Sequence, residues 1–131
     1  FINGANLKTP IITIVLRKAY GLGAMAMAGG NFHQSYMTLS WQTGEFGPMG
    51  LEASVELGFK KELEKILSKI ERKKLYDDLV SLAYEKGKAI NAASKLEIDE
   101  VIDPKETRSR ISNALLNYSD QKDKQNFIDS W

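Results

Sequence analysis

No cysteine occurs among the 131 residues, so neither a disulfide nor a thiolate metal site can be built. A single histidine, His33, removes most zinc constellations as well, and no metal is expected. Eighteen Lys and Arg stand against seventeen Asp and Glu, a net charge of +1, so no whole-chain field recruits nucleic acid or an anionic membrane surface. No apolar run reaches the ~20 residues that span a bilayer, and no secretory-type stretch stands in the sequence. A cytoplasmic protein without a membrane span or a nucleic-acid partner is therefore expected. Internal repeats and low-complexity segments are missing too.

What remains is ordinary globular material, 43% hydrophobic and 27% charged, enough for one domain or part of one. The chain starts at Phe1 rather than Met, and its first strong element is a strand of parallel type that needs neighbours to satisfy its backbone. The expectation is the C-terminal portion of a longer polypeptide.

The most informative stretch begins with the β-branched run Ile11-Ile12-Thr13-Ile14-Val15-Leu16, read as a buried strand over 11–17. It passes through Arg17-Lys18-Ala19-Tyr20 into Gly21-Leu22-Gly23-Ala24-Met25-Ala26-Met27-Ala28-Gly29-Gly30, a helix of small residues expected from Gly21 to about Phe32. A strand that breaks at glycine and enters such a helix leaves backbone N–H groups pointing at whatever lies above the turn, and those donors suit an anion or a developing oxyanion. No strong side-chain acid or base accompanies them, so main-chain chemistry is implied. Taken alone, Gly21 to Gly23 reads more readily as a tight strand–helix turn with close packing.

Farther along, residues 36–41 predict a second strand, and Thr43-Gly44-Glu45-Phe46-Gly47-Pro48-Met49-Gly50 a glycine-rich loop opening a helix over 51–57, with Met49 and Gly50 carrying unpaired N–H groups at its start. Leu63, Ile66, Leu67, Ile70, Leu75, Leu79 and Leu82 recur at helical spacing across 60–86, which predicts a helical hairpin broken near Arg72-Lys73-Lys74 and ended by Gly87. A short helix over 89–94, an extended segment over 97–102 and a final helix over 104–118 follow. Asp103 caps that last helix, Pro104 sits at its first position, and Ile111, Ala114 and Leu115 share one face. Residues 119–131 read as a polar tail that docks through Phe127, Ile128 and Trp131.

Four blocks together point to a family. Ile12-Thr13-Ile14-Val15-Leu16-Arg17-Lys18-Ala19-Tyr20-Gly21 and Trp41-Gln42-Thr43-Gly44-Glu45-Phe46-Gly47-Pro48-Met49-Gly50-Leu51-Glu52 are followed by Ala89-Ile90-Asn91-Ala92-Ala93 and Glu97-Ile98-Asp99-Glu100-Val101-Ile102-Asp103-Pro104-Lys105-Glu106-Thr107-Arg108. In that order they resemble the carboxyltransferase (beta) subunits of biotin-dependent acyl-CoA carboxylases. The resemblance implies an α/β fold of the crotonase-like (ClpP/crotonase) type. This chain would be the later part of the second half-domain over 1–118, with a helical insertion at 60–86 and a tail at 119–131. It further implies carboxybiotin as cofactor on a separate carrier domain or protein, an acyl-CoA substrate, and a homo-oligomer, dimer to hexamer, in the full protein. Carboxylate would move between biotin N1 and the acyl α-carbon. The family's two oxyanion-hole N–H groups map onto Leu22 and Gly23, with Gly21, Ala24, Met25, Met49 and Gly50 as residues contacting biotin or substrate. Leu22 departs from the family in side chain, which a backbone donor tolerates, and Gln42 stands where relatives often have proline.

Other readings stand beside this one. His33 reads as a surface or helix-end residue, Met25 and Met27 as packing, Arg17 and Lys18 as a strand-end pair, and Glu45 as a solvated carboxylate. A crotonase-type hydratase or isomerase would place glutamates at the pocket, and only Glu45 is suitably located. A non-catalytic helical interaction module would rest on 60–86 and the apolar tail. The isolated chain is expected to show no turnover, because an acyl-CoA pocket is not among its motifs.

Overall fold

The computed structural model describes residues 1–119. After a short α1 (Ile2–Ala5), the chain runs twice through the same step: a strand of one sheet, a strand of a second sheet, then helix. The first pass is β1 (Ile12–Val15), β2 (Lys18–Tyr20) and α2 (Gly21–Met27). The second is β3 (Met37–Trp41), β4 (Glu45–Gly47), α3 (Leu51–Gly58), α4 (Lys60–Lys65), α5 (Lys69–Lys86) and α6 (Ala89–Ser94). Strand β5 (Glu100–Ile102), a 3-10 turn (Pro104–Glu106) and α7 (Thr107–Leu116) complete it.

All the strand pairs are parallel. β3 lies between β1, with Ile14 opposite Leu39, and β5, with Ser40 opposite Val101; β2 pairs separately with β4, Ala19 opposite Phe46. The single strand expected over 11–17 is thus two. Leu16 and Arg17 form the corner between sheets, and the second pass braces it: Thr43 Oγ1 donates to the Leu16 carbonyl at 2.5 Å and the Glu45 N–H to the Arg17 carbonyl at 2.6 Å. The same pairing turns part of the expected loop at 43–50 into β4, because a parallel partner satisfies backbone groups that glycine-rich sequence does not hold in place unaided.

Helix α2 stops at Met27, short of the expected Phe32. Gly29 and Gly30 take φ of +90° and +139°, conformations open to glycine, and the Gly30 N–H closes back on the Met25 carbonyl at 2.9 Å. Asn31 Oδ1 then accepts from the N–H groups of His33 and Gln34 at 2.7 and 2.8 Å, shaping the turn into β3. In the central strand, buried Thr38 donates its hydroxyl to the Phe32 carbonyl at 2.6 Å and buried Ser40 donates to the Trp41 carbonyl at 2.9 Å, so neither polar group is left unsatisfied.

The hairpin break falls at 66–68 rather than at Arg72-Lys73-Lys74. Ser68 Oγ accepts from the Glu71 N–H as N-cap, and Arg72 reaches back with two nitrogens to the Ile66 carbonyl at 3.0 and 2.6 Å. Lysine and arginine are good helix formers, so the basic triplet continues α5. Along the apolar stripe, Leu67 and Ile70 at this break are 93% and 84% exposed and Leu82 is exposed too, whereas Leu63, Ile66, Leu75 and Leu79 are half-buried. The core lies elsewhere, in Val15, Ala19, Phe46, Ala89, Ala92 and Ile98, with Phe32 set edge-on to Phe46 at 5.5 Å between ring centroids. At the far end Asp103 caps as expected, its carboxylate accepting from the Lys105 N–H at 3.0 Å, although the first turn is 3-10 before α7 begins. On α7, Ile111 and Ala114 are half-buried while Leu115 is exposed. Phe127, Ile128 and Trp131 lie outside the described residues. No described helix is long and apolar enough to cross a membrane.

Candidate active site

The turn from β2 into α2 carries the geometry of interest. Gly21 has φ of +60°, and a Cβ placed there would lie 2.7 Å from the Pro48 carbonyl oxygen, so only glycine lets β2, α2 and the β4–α3 loop meet this closely. Because α2 begins at Gly21, the N–H groups of Leu22 and Gly23 precede the first intrahelical bonds, and no backbone partner is recorded for either among the described residues. Both residues are exposed, and a Cβ at Gly23 would meet nothing within 4 Å.

A cavity of about 670 Å³ adjoins this turn. Ala19, Gly21, Leu22 and Met25 line it from β2 and α2, Leu51, Ser54 and Ala83 from α3 and α5, and Gly87, Phe32, Phe46 and Ala92 complete the lining. Lys86, Lys88, Lys95 and His33 bring cationic and titratable groups to its edge, and Glu97 a carboxylate. Such a space suits a ligand with an apolar body and a polar or anionic head.

Of the residues singled out in the sequence, the fold brings Gly21, Leu22 and Met25 onto the cavity. Gly23 sits one residue beyond the lining with its face open. Ala24 turns inward and packs on the core. Met49 and Gly50 lie at the start of α3, where Gly50 is the N-cap, and do not line the cavity. Among the described residues no group of three or more acidic or histidine side chains is disposed to hold a metal ion.

Sequence reasoning missed the polar framework around the cavity. Glu45 is not a free solvated carboxylate: its Oε2 accepts from the Tyr20 hydroxyl at 2.6 Å. Desolvation first, then this bond to a carboxylate, push the Tyr20 hydroxyl well above the usual tyrosine range, so it stays a donor. Tyr84 on α5 donates likewise to Glu52 on α3. That bond holds Glu52 below the usual carboxylate range and raises Tyr84. Both pairs join residues at least 25 apart, and no local spacing announces them.

Known proteins of similar sequence and shape narrow the chemistry. The profile of the carboxyl transferase domain family matches residues 3–128. The methylmalonyl-CoA carboxyltransferase 12S subunit of Propionibacterium freudenreichii subsp. shermanii is 31% identical over 117 residues, 86% of this chain and 21% of that subunit. The propionyl-CoA carboxylase beta chain of Cereibacter sphaeroides is 33% identical over 116 residues, again 86% and 21%. Among solved structures, a single-chain, multi-domain long-chain acyl-CoA carboxylase matches 85% of this chain and 10% of its own, with TM-score 0.70 and 49% identity. A hexameric transcarboxylase 12S structure with methylmalonyl-coenzyme A and methylmalonic acid bound matches 98% of this chain and 24% of its own, with TM-score 0.82 and 26% identity. The arrangement described above is a partial α/β crotonase-like fold. The chain spans about a fifth of the length of the curated relatives it matches.

Proposed function

Because this chain belongs to the carboxyl transferase domain family, we propose that it forms the biotin-facing part of an acyl-CoA carboxyltransferase site. The single observation that carries the reading is the pair of unpartnered N–H groups at Leu22 and Gly23 beside an apolar cavity. Carboxybiotin on a carrier domain or protein supplies the carboxylate that passes to the acyl α-carbon, and the acyl-CoA itself is bound by the remainder of a site of which this chain is one piece.

The residues present suit that group. Apolar Phe32, Phe46 and Met25 line the cavity and would accept a hydrocarbon body, and the Leu22 and Gly23 N–H groups would be the donors to a ureido oxygen, which gathers negative charge as carbon dioxide departs. Two preorganised N–H groups stabilise such charge better than water does, by roughly 3 kcal/mol each where single oxyanion donors have been removed, once the assembled site covers this exposed turn. The start of α2 adds partial positive charge. Gly21 keeps the turn tight, Ala24 anchors α2 to the core, and Met49 and Gly50 shape the loop that abuts Gly21 through Pro48. Glu45, the carboxylate a hydratase would need, is already engaged by Tyr20. By likeness to the hexameric relative, the assembled protein is a homo-oligomer, and the cytoplasm is its place of work.

Titration of the 15N-labelled chain with biotin tests the reading. The amides of Leu22 and Gly23 are expected to shift first and most. Perturbation confined to other surfaces, or none at millimolar biotin, sinks it.

A further inference from the structure

The four residues of the two tyrosine–carboxylate pairs are each a sequence neighbour of a residue that lines the cavity. Tyr20 precedes Gly21, Glu45 precedes Phe46, Glu52 follows Leu51 and Tyr84 follows Ala83. One pair therefore ties the residue before α2 to β4, and the other ties α3 to α5.

Glu45 makes a firm post for the first pair. Its N–H donates to the Arg17 carbonyl at 2.6 Å, its backbone stands opposite Lys18 in the β2–β4 register, and it bridges to Lys88. Tyr20 is the residue immediately before α2, so where its ring is held decides where α2 begins. The second pair spans 32 residues of sequence, across the α3–α5 contact. Tyr76 and Glu56 repeat the chemistry farther along the same α3–α5 seam, at 3.4 Å, with no neighbour in the lining.

We infer that Tyr20–Glu45 and Tyr84–Glu52 are paired clamps, one at the start of α2 and one between α3 and α5, that set the width of the cavity and the direction of the Leu22 and Gly23 N–H groups. They are positioning residues rather than catalytic ones, and their role in ligand binding rests on the reading of the cavity given above. Hydrogen bonds to carboxylates are short, directional and stronger than neutral ones, which suits them to hold a wall without filling the cavity. With both tyrosines shifted upward, the clamps stay closed throughout the neutral range.

The test uses NMR on the ligand-free and biotin-titrated chain, with melting temperature followed in parallel. Tyr20→Phe and Tyr84→Phe each remove one hydroxyl, Tyr76→Phe is the control, Glu45→Ala removes the acceptor and Glu45→Gln restores one. In the ligand-free chain, Tyr20→Phe should move the Gly21, Leu22 and Gly23 amides and Tyr84→Phe those of Leu51 and Ala83. Glu45→Ala should reproduce Tyr20→Phe, Glu45→Gln should return the wild-type positions, and Tyr76→Phe should leave both sets in place. Biotin affinity should fall roughly tenfold in each clamp variant and stay at the wild-type value in Tyr76→Phe, whatever melting temperature each lost hydroxyl costs. If wild-type chain ignores biotin, the cavity reading fails, and the ligand-free shifts alone then decide the clamps. Lining amides that move no more in Tyr20→Phe and Tyr84→Phe than in Tyr76→Phe overturn the inference.

Discussion

Gly21 and Gly23 stand two residues apart in one motif, yet the structure gives them opposite sensitivities. At Gly21 an alanine Cβ meets a backbone oxygen at 2.7 Å and the residue must hold φ of +60°. The left-handed conformation costs a non-glycine residue about 1–2 kcal/mol, and overpacking against an immovable carbonyl adds about 1–3 kcal/mol. Gly21→Ala should therefore lose about 2–5 kcal/mol. For a domain of this size that lowers the melting temperature by roughly 6 °C at the least. At Gly23 the same Cβ enters open space at an ordinary helical φ, so Gly23→Ala should be neutral or more stable by up to ~1 kcal/mol from helix propensity. Urea unfolding followed by far-ultraviolet circular dichroism, at matched slopes, reads both. The functional half comes from Gly23→Val, which should fold like wild type yet lose the biotin-induced shifts, because the valine methyls occupy the space in front of the donors. Equal stability of Gly21→Ala and Gly23→Ala would refute the assigned turn. A Gly23→Val chain that binds biotin as wild type does would refute the donors' role.

Further outcomes follow from single contacts. Glu52 has its folded-state pKa depressed, chiefly by the Tyr84 hydroxyl, so its contribution is present above the ordinary carboxylate value and is lost as pH falls through the folded one. The gap in melting temperature between wild type and Tyr84→Phe should therefore be open near neutrality and narrow as pH falls below the ordinary carboxylate value; a gap constant with pH contradicts the linkage. Phe46→Ala removes a ring that is buried in the core and set edge-on to Phe32, and should cost about 3–5 kcal/mol in urea unfolding. Asp103→Ala deletes the acceptor for the Lys105 N–H and should speed hydrogen exchange at Lys105 and through the first turn after Pro104, with α2 unaffected.

Much of this architecture is legible in local chemistry. The β-branched run at 11–16, the small-residue helix after Tyr20 and the Asp103-Pro104 start each act within a few residues, and all three elements begin near where that chemistry places them, though the strand ends at Val15 and α2 at Met27. The order of elements, the unpaired donors just past Gly21 and the family itself were within reach for the same reason: glycine, proline and cap residues work at short range and leave fixed words in the chain. The break in the hairpin was less legible. Ser68 capping and Arg72 reaching back to Ile66 compete with a basic triplet that only looks like punctuation.

Other features were decided by partners distant along the chain. One apparent strand divides at Leu16 and Arg17 because Thr43 and Glu45 arrive alongside to bond those carbonyls. A glycine-rich loop becomes β4 because β2 offers it a parallel ladder. Glu45 exchanges solvent for the Tyr20 hydroxyl 25 residues earlier, and Tyr84 meets Glu52 across 32. Residue type and spacing encode what a backbone does with its immediate neighbours. Which wall a carboxylate braces, and which glycine tolerates a methyl group, depend on atoms brought close only when the chain has folded.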